Sequence, residues 1–99
     1  MSAAAAKQLF VGGDQATGAT ACGSCHTLSE AGTSGTTGPD LDKVLKGKSA
    51  AFIKESIVNP EAQIAAGYQK GIMPSNFAQT LSAGRVDGLV KYLEEVAAR

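Results

Sequence analysis

The sequence is poor in the side chains that usually fill a protein core. It has no tryptophan, and its only aromatic residues are two tyrosines and three phenylalanines. Large aromatic side chains dominate most cores, so this chain supplies few large pieces of its own. Its 99 residues predict one small domain, residues 1–99, without an internal repeat, and a bound cofactor would stabilise a chain of this size appreciably.

The sequence also lacks an excess of charge of either sign. Nine basic and nine acidic residues cancel, and the basic residues are not interleaved with aromatic ones. This pattern argues against a surface for nucleic acid or for an anionic membrane. We therefore expect the partner to be a protein or a small redox couple.

Long apolar runs are absent as well. No segment approaches the length needed to span a membrane, so we expect no membrane segment in this chain. Residues 1–6 lack both a basic leading segment and a sustained apolar run, so they are not expected to form a signal peptide. These features suit a cytosolic chain, a mature form, or a domain excised for expression.

The rare cysteine and histidine residues are all concentrated in one motif. Both cysteines and the only histidine lie in Cys22-Gly23-Ser24-Cys25-His26. A disulfide between cysteines three positions apart would close too short a loop to stabilise a fold much. A thioredoxin-like redox pair follows a strand in a βαβ setting, and no strand pattern precedes Cys22. A structural zinc site needs four protein ligands, and this motif supplies three.

Covalent haem attachment is the hypothesis that this CxxCH spacing favours. Each cysteine sulfur can add to one vinyl group of protohaem, and a helical turn places both thiols at the edge of the macrocycle. The tethers then fix the ring, so His26 reaches the iron at little further entropic cost. The motif predicts a covalently bound haem c, attached through Cys22 and Cys25, with His26 as an iron ligand.

A low-spin electron carrier also needs a second axial ligand. Without a second histidine, the choices are a methionine, a lysine or an open position. Met1 lies at the terminus, whereas Met73 precedes Pro74, which favours extended backbone at Met73. We predict Met73 as the second iron ligand, and the alternative is an ordinary core side chain.

Hydrophobic periodicity predicts helices and long loops. A first helix is predicted over Ala3–Val11, a middle helix from its cap Ser49 to about Val58, and a last helix from Ser82 to about Ala98. Asp42 is predicted to cap a brief helical turn through Lys46. No segment alternates for long enough to predict a sheet. The predicted fold class is all-α, with irregular segments such as Glu61–Leu81 that a ligand must order.

The order of these features resembles the small class I cytochromes c over nearly the whole chain. The features that carry the resemblance are CGSCH, Gly38-Pro39-Asp40-Leu41, Met73-Pro74 and the last amphipathic helix. The resemblance implies the cytochrome c fold, in which the terminal helices cross and the middle helix and long loops wrap around one covalently bound haem. The segment from Asn59 to Ser82 is particularly similar to bacterial cytochrome c domains, including those of a haem-copper oxidase subunit.

The resemblance also implies roles for individual residues. The carbonyl of Pro39 should accept a hydrogen bond from the His26 imidazole. At the helix crossing, Ala6 and Phe10 should meet Leu89 and Tyr92, and Gly88 should let the backbones approach. The tryptophan that contacts a haem propionate in mitochondrial-type members is missing. Tyr68 or Asn76 could take that role, although Tyr68 equally suits a core position and Asn76 a turn.

The function implied is electron transport, not catalysis. A His/Met-ligated haem c would carry single electrons to a terminal oxidase, with cytochrome oxidase and a cytochrome bc-type or equivalent donor as partners of a monomer. The alternative is a haem peroxidase or a gas-sensing haem domain with a labile sixth ligand. Because covalent haem attachment takes place outside the bacterial cytoplasm, we expect a periplasmic or extracytoplasmic location.

A docking surface is expected where the Met73 loop reaches the surface. Small apolar residues should form it, namely Ala65, Ala66, Gly71, Ile72 and Pro74. Four lysines could form a basic rim that steers the partner, namely Lys43, Lys46, Lys48 and Lys70. The alternative for these lysines is an ordinary solvated surface.

Overall fold

The computed structural model describes residues 1–69 and 71–99 and is mostly helical. Within these residues, five α-helices follow one another: α1 (Ala3–Gly12), α2 (Leu41–Val44), α3 (Ala50–Val58), α4 (Phe77–Thr80) and α5 (Ala83–Val96). Two short strands, β1 (Thr27–Leu28) and β2 (Thr33–Ser34), lie between α1 and α2. None of the helices in the described residues has the length and apolar character needed to cross a lipid bilayer.

Serine side chains fix where the three longer helices begin. The hydroxyl oxygens of Ser2, Ser49 and Ser82 each accept a hydrogen bond from the backbone N–H three residues later, at 3.1, 3.1 and 3.2 Å. Each bond satisfies one of the N–H groups that lack a partner in the first helical turn. The predicted caps at Ser49 and Ser82 are therefore confirmed.

The predicted cap of α2 is wrong. Asp40, not Asp42, caps this helix, and its carboxylate accepts a hydrogen bond from the backbone N–H of Asp42 at 3.0 Å. Asp40 has the extended backbone of a cap and directly follows Pro39, so the helix begins two residues earlier than expected. The Asp42 carboxylate instead accepts hydrogen bonds from the backbone N–H and the hydroxyl of Ser29, at 3.0 and 2.6 Å.

Two small elements depart from the predicted secondary structure. β1 and β2 pair antiparallel, with Thr27 opposite Ser34 and Leu28 opposite Thr33. With two residues each, the strands are too short to show alternation in the sequence. Helix α4 also lies within the segment Glu61–Leu81, which was predicted to be irregular. Its four residues are likewise too few for a helical period to appear.

The first and last helices cross, as the resemblance implied. Ala6, Phe10 and Leu89 are almost completely buried between them, with exposed fractions of 1%, 0% and 1%. The Phe10 and Tyr92 rings meet edge to face, with centroids 6.4 Å apart, a favoured aromatic geometry. At Gly88, a Cβ would collide with the side chain of Met1. The space left by the glycine is occupied by the N-terminal side chain.

Candidate functional site

A cavity of about 430 Å³ lies beside α3 and the segment between α3 and α4. Its volume falls within the roughly 300–1,000 Å³ typical of small-molecule and cofactor sites. Most of the lining is apolar, and it includes all six residues predicted from the sequence: Cys22, Cys25, His26, Pro39, Tyr68 and Met73. The fold thus brings together residues that are up to 51 positions apart, from Cys22 to Met73 (73 − 22).

The two cysteines are held on one tight turn. Residues Cys22–Ser24 form a 3₁₀ turn, and the backbone N–H groups of Cys25 and His26 both donate to the carbonyl of Cys22, at 3.2 and 3.1 Å. Burial raises the pKa of the Cys22 thiol to about 11, because the apolar surroundings disfavour a thiolate. Because Cys22 and Cys25 lie on this one turn, both sulfurs belong to a short stretch of the cavity wall.

The imidazole of His26 is oriented by a backbone carbonyl. Its Nδ1 lies 2.7 Å from the carbonyl oxygen of Pro39. A carbonyl can only accept a hydrogen bond, so Nδ1 must donate its proton, which leaves Nε2 as the nitrogen with a free lone pair. This is the tautomer that a metal-binding histidine needs. The hydrogen bond that the resemblance implied is present in the structure.

Gly38 packs directly against the same imidazole. A Cβ at this position would lie 2.6 Å from His26 Cε1 and 2.9 Å from Nδ1, far closer than atoms can approach. The backbone N–H of Gly38 also donates to the carbonyl of Cys25 at 2.7 Å. Gly38 therefore fixes the plane of the histidine ring, a role that sequence reasoning did not assign to it.

The hairpin after the motif holds the backbone of His26 in place. The Thr33 hydroxyl donates to the carbonyl of His26 at 2.9 Å and accepts from the N–H of Leu28 at 3.1 Å. The Thr27 hydroxyl donates to the carbonyl of Gly35 at 3.0 Å. A Cβ at Gly35 would lie 2.6 Å from the carbonyl carbon of Cys25. Sequence reasoning missed these residues because threonine and glycine are too common to stand out.

Met73, Pro74 and Tyr68 form another part of the lining. Met73 and Pro74 are half-buried, and Tyr68 is 39% exposed. Asn76, the other candidate for a propionate contact, does not line the cavity. Its carbonyl accepts hydrogen bonds from the N–H groups of Gln79 and Thr80, at 2.9 and 3.0 Å. Asn76 is therefore part of the turn that begins α4.

These residues fit a covalently attached haem. The cavity is apolar, as a macrocycle requires, and its walls carry two neighbouring thiols, an imidazole in the metal-binding tautomer and a thioether. Imidazole and thioether are axial ligands that haem iron takes in proteins. The donor set and its apolar surroundings thus match the group that the CxxCH spacing predicts.

Comparison with known proteins identifies the family. The family model described as Cytochrome c matches residues 4–97. The search of curated proteins gave no significant match. Among solved structures, the c-type cytochrome SorU from Sinorhizobium meliloti is similar to this chain with a TM-score of 0.70 at 24% sequence identity, over 98% of this chain and 92% of that chain; this likeness shows the fold. Because the family match covers nearly all of the chain, the protein belongs to the cytochrome c family as a small class I member with covalently bound haem c.

Proposed function

We propose that His26 and Met73 are the two axial ligands of the haem iron, that Cys22 and Cys25 form the thioether bonds, and that the protein passes single electrons to a terminal oxidase. As a cytochrome c, the protein transfers electrons through haem c and works with redox partner proteins. The bound haem iron takes up and releases one electron. The chain itself holds this group and tunes its reduction potential.

The hydrogen bond between His26 and Pro39 carries the proposal. It keeps the proton on Nδ1 and so makes Nε2 available to a metal. The same bond strengthens the imidazole as a donor, as such outer contacts do for metal-bound histidines. No other histidine exists in the chain, so no other imidazole can take this role.

Met73 supplies the second ligand in this proposal. It is the only methionine that lines the cavity among the described residues. A neutral thioether favours ferrous over ferric iron, and His/Met ligation therefore raises the reduction potential. The apolar lining acts in the same direction, because a cationic ferric centre is costly where water is excluded. A positive potential would suit electron delivery to an oxidase.

The docking surface in this proposal is the exposed mouth of the cavity. Ile64, Tyr68 and Ile72 line the cavity and are 40%, 39% and 53% exposed. Apolar groups of this kind, in a small patch, suit brief contacts between electron carriers. Among the predicted lysines of the rim, the three described ones are exposed, namely Lys43, Lys46 and Lys48. Lys70 lies outside the described residues.

Replacing Met73 tests the ligand assignment. In Met73→Ala the weak ferric charge-transfer band of methionine ligation should disappear and the reduction potential should fall, because the thioether is gone. Met1→Ala is the matched control, since Met1 packs against Gly88 away from the cavity, and it should keep both properties. Retention of the band in Met73→Ala would refute the assignment. Rapid carbon monoxide binding to the ferrous wild-type protein would instead support a gas-sensing or peroxidase site.

Stopped-flow oxidation by a purified haem-copper oxidase tests the acceptor. The reduced protein should be oxidised rapidly, and Ile72→Gln should slow the reaction because it places a polar group in the docking surface. Val11→Gln is the control, because Val11 is 47% exposed and does not line the cavity. Equal rates for the two variants would contradict docking at the cavity mouth.

We further propose a bacterial periplasmic location, since c-type cytochromes are typically extracytoplasmic.

A further inference from the structure

The end of the CxxCH motif and the segment that leads into α2 are joined in a fixed register. The backbone N–H of Gly38 donates to the carbonyl of Cys25 at 2.7 Å, and Nδ1 of His26 donates to the carbonyl of Pro39 at 2.7 Å. In both pairs the partners are 13 positions apart, from 25 to 38 and from 26 to 39. The two segments therefore meet residue by residue at the histidine.

The carboxylate of Asp42 continues this register at the other end of the two segments. It accepts hydrogen bonds from the backbone N–H of Ser29 at 3.0 Å and from the Ser29 hydroxyl at 2.6 Å, again across 13 positions. Among the described residues, the hydrogen bonds that join residues 27–31 to residues 40–44 all end on this carboxylate. Neither Asp42 nor Ser29 lines the cavity, so their effect on the site must pass through the backbone.

A tight turn connects Asp42 to the carbonyl of Pro39. The Asp40 side chain accepts a hydrogen bond from the N–H of Asp42 at 3.0 Å. The Asp40 carbonyl accepts from the N–H groups of Lys43 and Val44, at 3.1 and 3.0 Å. The Pro39 carbonyl belongs to the planar peptide unit that ends at the nitrogen of Asp40. A displacement of Asp42 would therefore be transmitted to this carbonyl.

We propose that Asp42 is a positioning residue for the iron ligand His26. By holding Ser29, it keeps the Pro39 carbonyl within hydrogen-bond distance of Nδ1. This hydrogen bond makes the imidazole a stronger donor, which favours ferric over ferrous iron. Weakening the contact should therefore raise the reduction potential. The inference rests on ligation of the iron by His26, as in the proposed function.

Exchange of the His26 Nδ1 proton with solvent, followed by NMR of the ferrous haem-containing protein, measures this contact directly. In Asp42→Ala the exchange should be faster by roughly fivefold, the effect of one ordinary hydrogen bond, and the potential should rise. Ser29→Ala should change both properties in the same direction by less, without altering any charge. The double variant should match Asp42→Ala, because the serine hydroxyl has then already lost its partner.

Two further variants separate positioning from charge. Asp42→Asn removes the same charge but keeps an oxygen that can accept from the Ser29 N–H. The proton should then exchange near the wild-type rate, and the potential should rise less than in Asp42→Ala. Asp87→Ala removes an exposed carboxylate that does not line the cavity, and it should leave the exchange rate unchanged.

Three results would overturn the proposal. They are a wild-type exchange rate in Asp42→Ala, equal potentials in Asp42→Ala and Asp42→Asn, and additive effects of Asp42→Ala and Ser29→Ala. The exchange rate reports the contact between His26 and Pro39 whichever groups bind the iron. Failure of this proposal is thereby distinguished from failure of the ligand assignment, which Met73→Ala tests.

Discussion

At the scale of single residues, the orientation of His26 depends on the absence of a side chain at Gly38. We expect Gly38→Ala to push the imidazole out of its hydrogen bond with Pro39, because the new methyl group would overlap the ring. Overpacking of this kind costs about 1–3 kcal/mol, so the unfolding free energy of the haem-containing protein should fall by a similar amount. The NMR signal of the His26 Nδ1 proton should move or broaden.

Gly12→Ala provides the control for this substitution. Gly12 ends α1 and has no atom within 4 Å of the position that a Cβ would take, so the stability and the His26 signal should stay near those of the wild type. An unchanged His26 signal in Gly38→Ala would show that the ring is positioned by something other than this contact.

The residues predicted from the sequence were those whose types are rare in the chain. A single histidine, two cysteines and two methionines leave few ways to build a haem site, so the amino-acid sequence alone points to Cys22, Cys25, His26 and Met73. Gly38 and Thr33 could not be assigned roles in this way. They act through contacts between parts of the chain that only folding brings together.

At the scale of secondary-structure elements, the crossing of α1 and α5 should contribute most to stability through Phe10. This side chain is fully buried and meets Tyr92 edge to face. Phe10→Ala should lower the unfolding free energy by about 3–5 kcal/mol, since it removes apolar contacts and leaves a cavity. Denaturant titration of the haem-containing protein measures the change.

The neighbouring residue offers a matched control for Phe10. Val11 lies on the same helix but is 47% exposed, and Val11→Ala should change the unfolding free energy by no more than about 0.5 kcal/mol. Comparable losses in the two variants would mean that burial of Phe10 in the helix crossing does not determine its contribution to stability.

An ion pair joins the loop after α1 to the start of α5. The hydrogen bond from the Arg85 guanidinium to the Asp14 carboxylate holds the pKa of Asp14 below its usual value. Its stabilising effect is therefore fully present above the ordinary aspartate pKa of about 3.9 and is lost as the pH falls through the lower native pKa. Asp14→Asn should be less stable near neutral pH and should lose less stability on acidification than the wild type.

Thermal unfolding followed from neutral to acidic pH checks this prediction. Asparagine keeps the side-chain oxygen that accepts from the N–H of Ala16, so the local turn is preserved. Asp87→Asn is the control, because the ion pair of Asp87 with Lys54 is exposed and such pairs contribute little. Parallel pH profiles for wild type and Asp14→Asn would exclude the pair as a source of acid sensitivity.

The elements predicted correctly were those with a cap and at least two helical turns. The apolar period of α5 and the serine caps of α3 and α5 were evident in the sequence. The two-residue strands and the four-residue helix α4 were not evident in the sequence, because a hydrophobic period cannot be recognised over so few residues. The cap of α2 was misplaced because Asp40 and Asp42 both suit the position, and only the backbone conformation distinguishes them.

At the scale of the whole molecule, the cavity is surrounded by parts of the chain with few contacts of their own. Between α3 and α4, the backbone hydrogen bonds within the segment that the structure describes are local turns, such as Ala62 to Asn59 and Tyr68 to Ala65, both at 3.1 Å. Ile64 and Ile72 on this segment line the cavity while remaining 40% and 53% exposed. We therefore expect the haem to be the main partner against which this segment packs.

The fold should consequently depend on attachment of the haem. We expect the double variant Cys22→Ala/Cys25→Ala to yield an apoprotein with weak far-UV helical signal and no cooperative thermal transition, because ordering the long segments without apolar burial is entropically unfavourable. Ser24→Ala is the matched control, since it alters an exposed side chain of the same turn and leaves both thiols in place. This control should retain the haem and unfold cooperatively. A compact apoprotein that melts cooperatively would show that the polypeptide core, and not the haem, determines this fold.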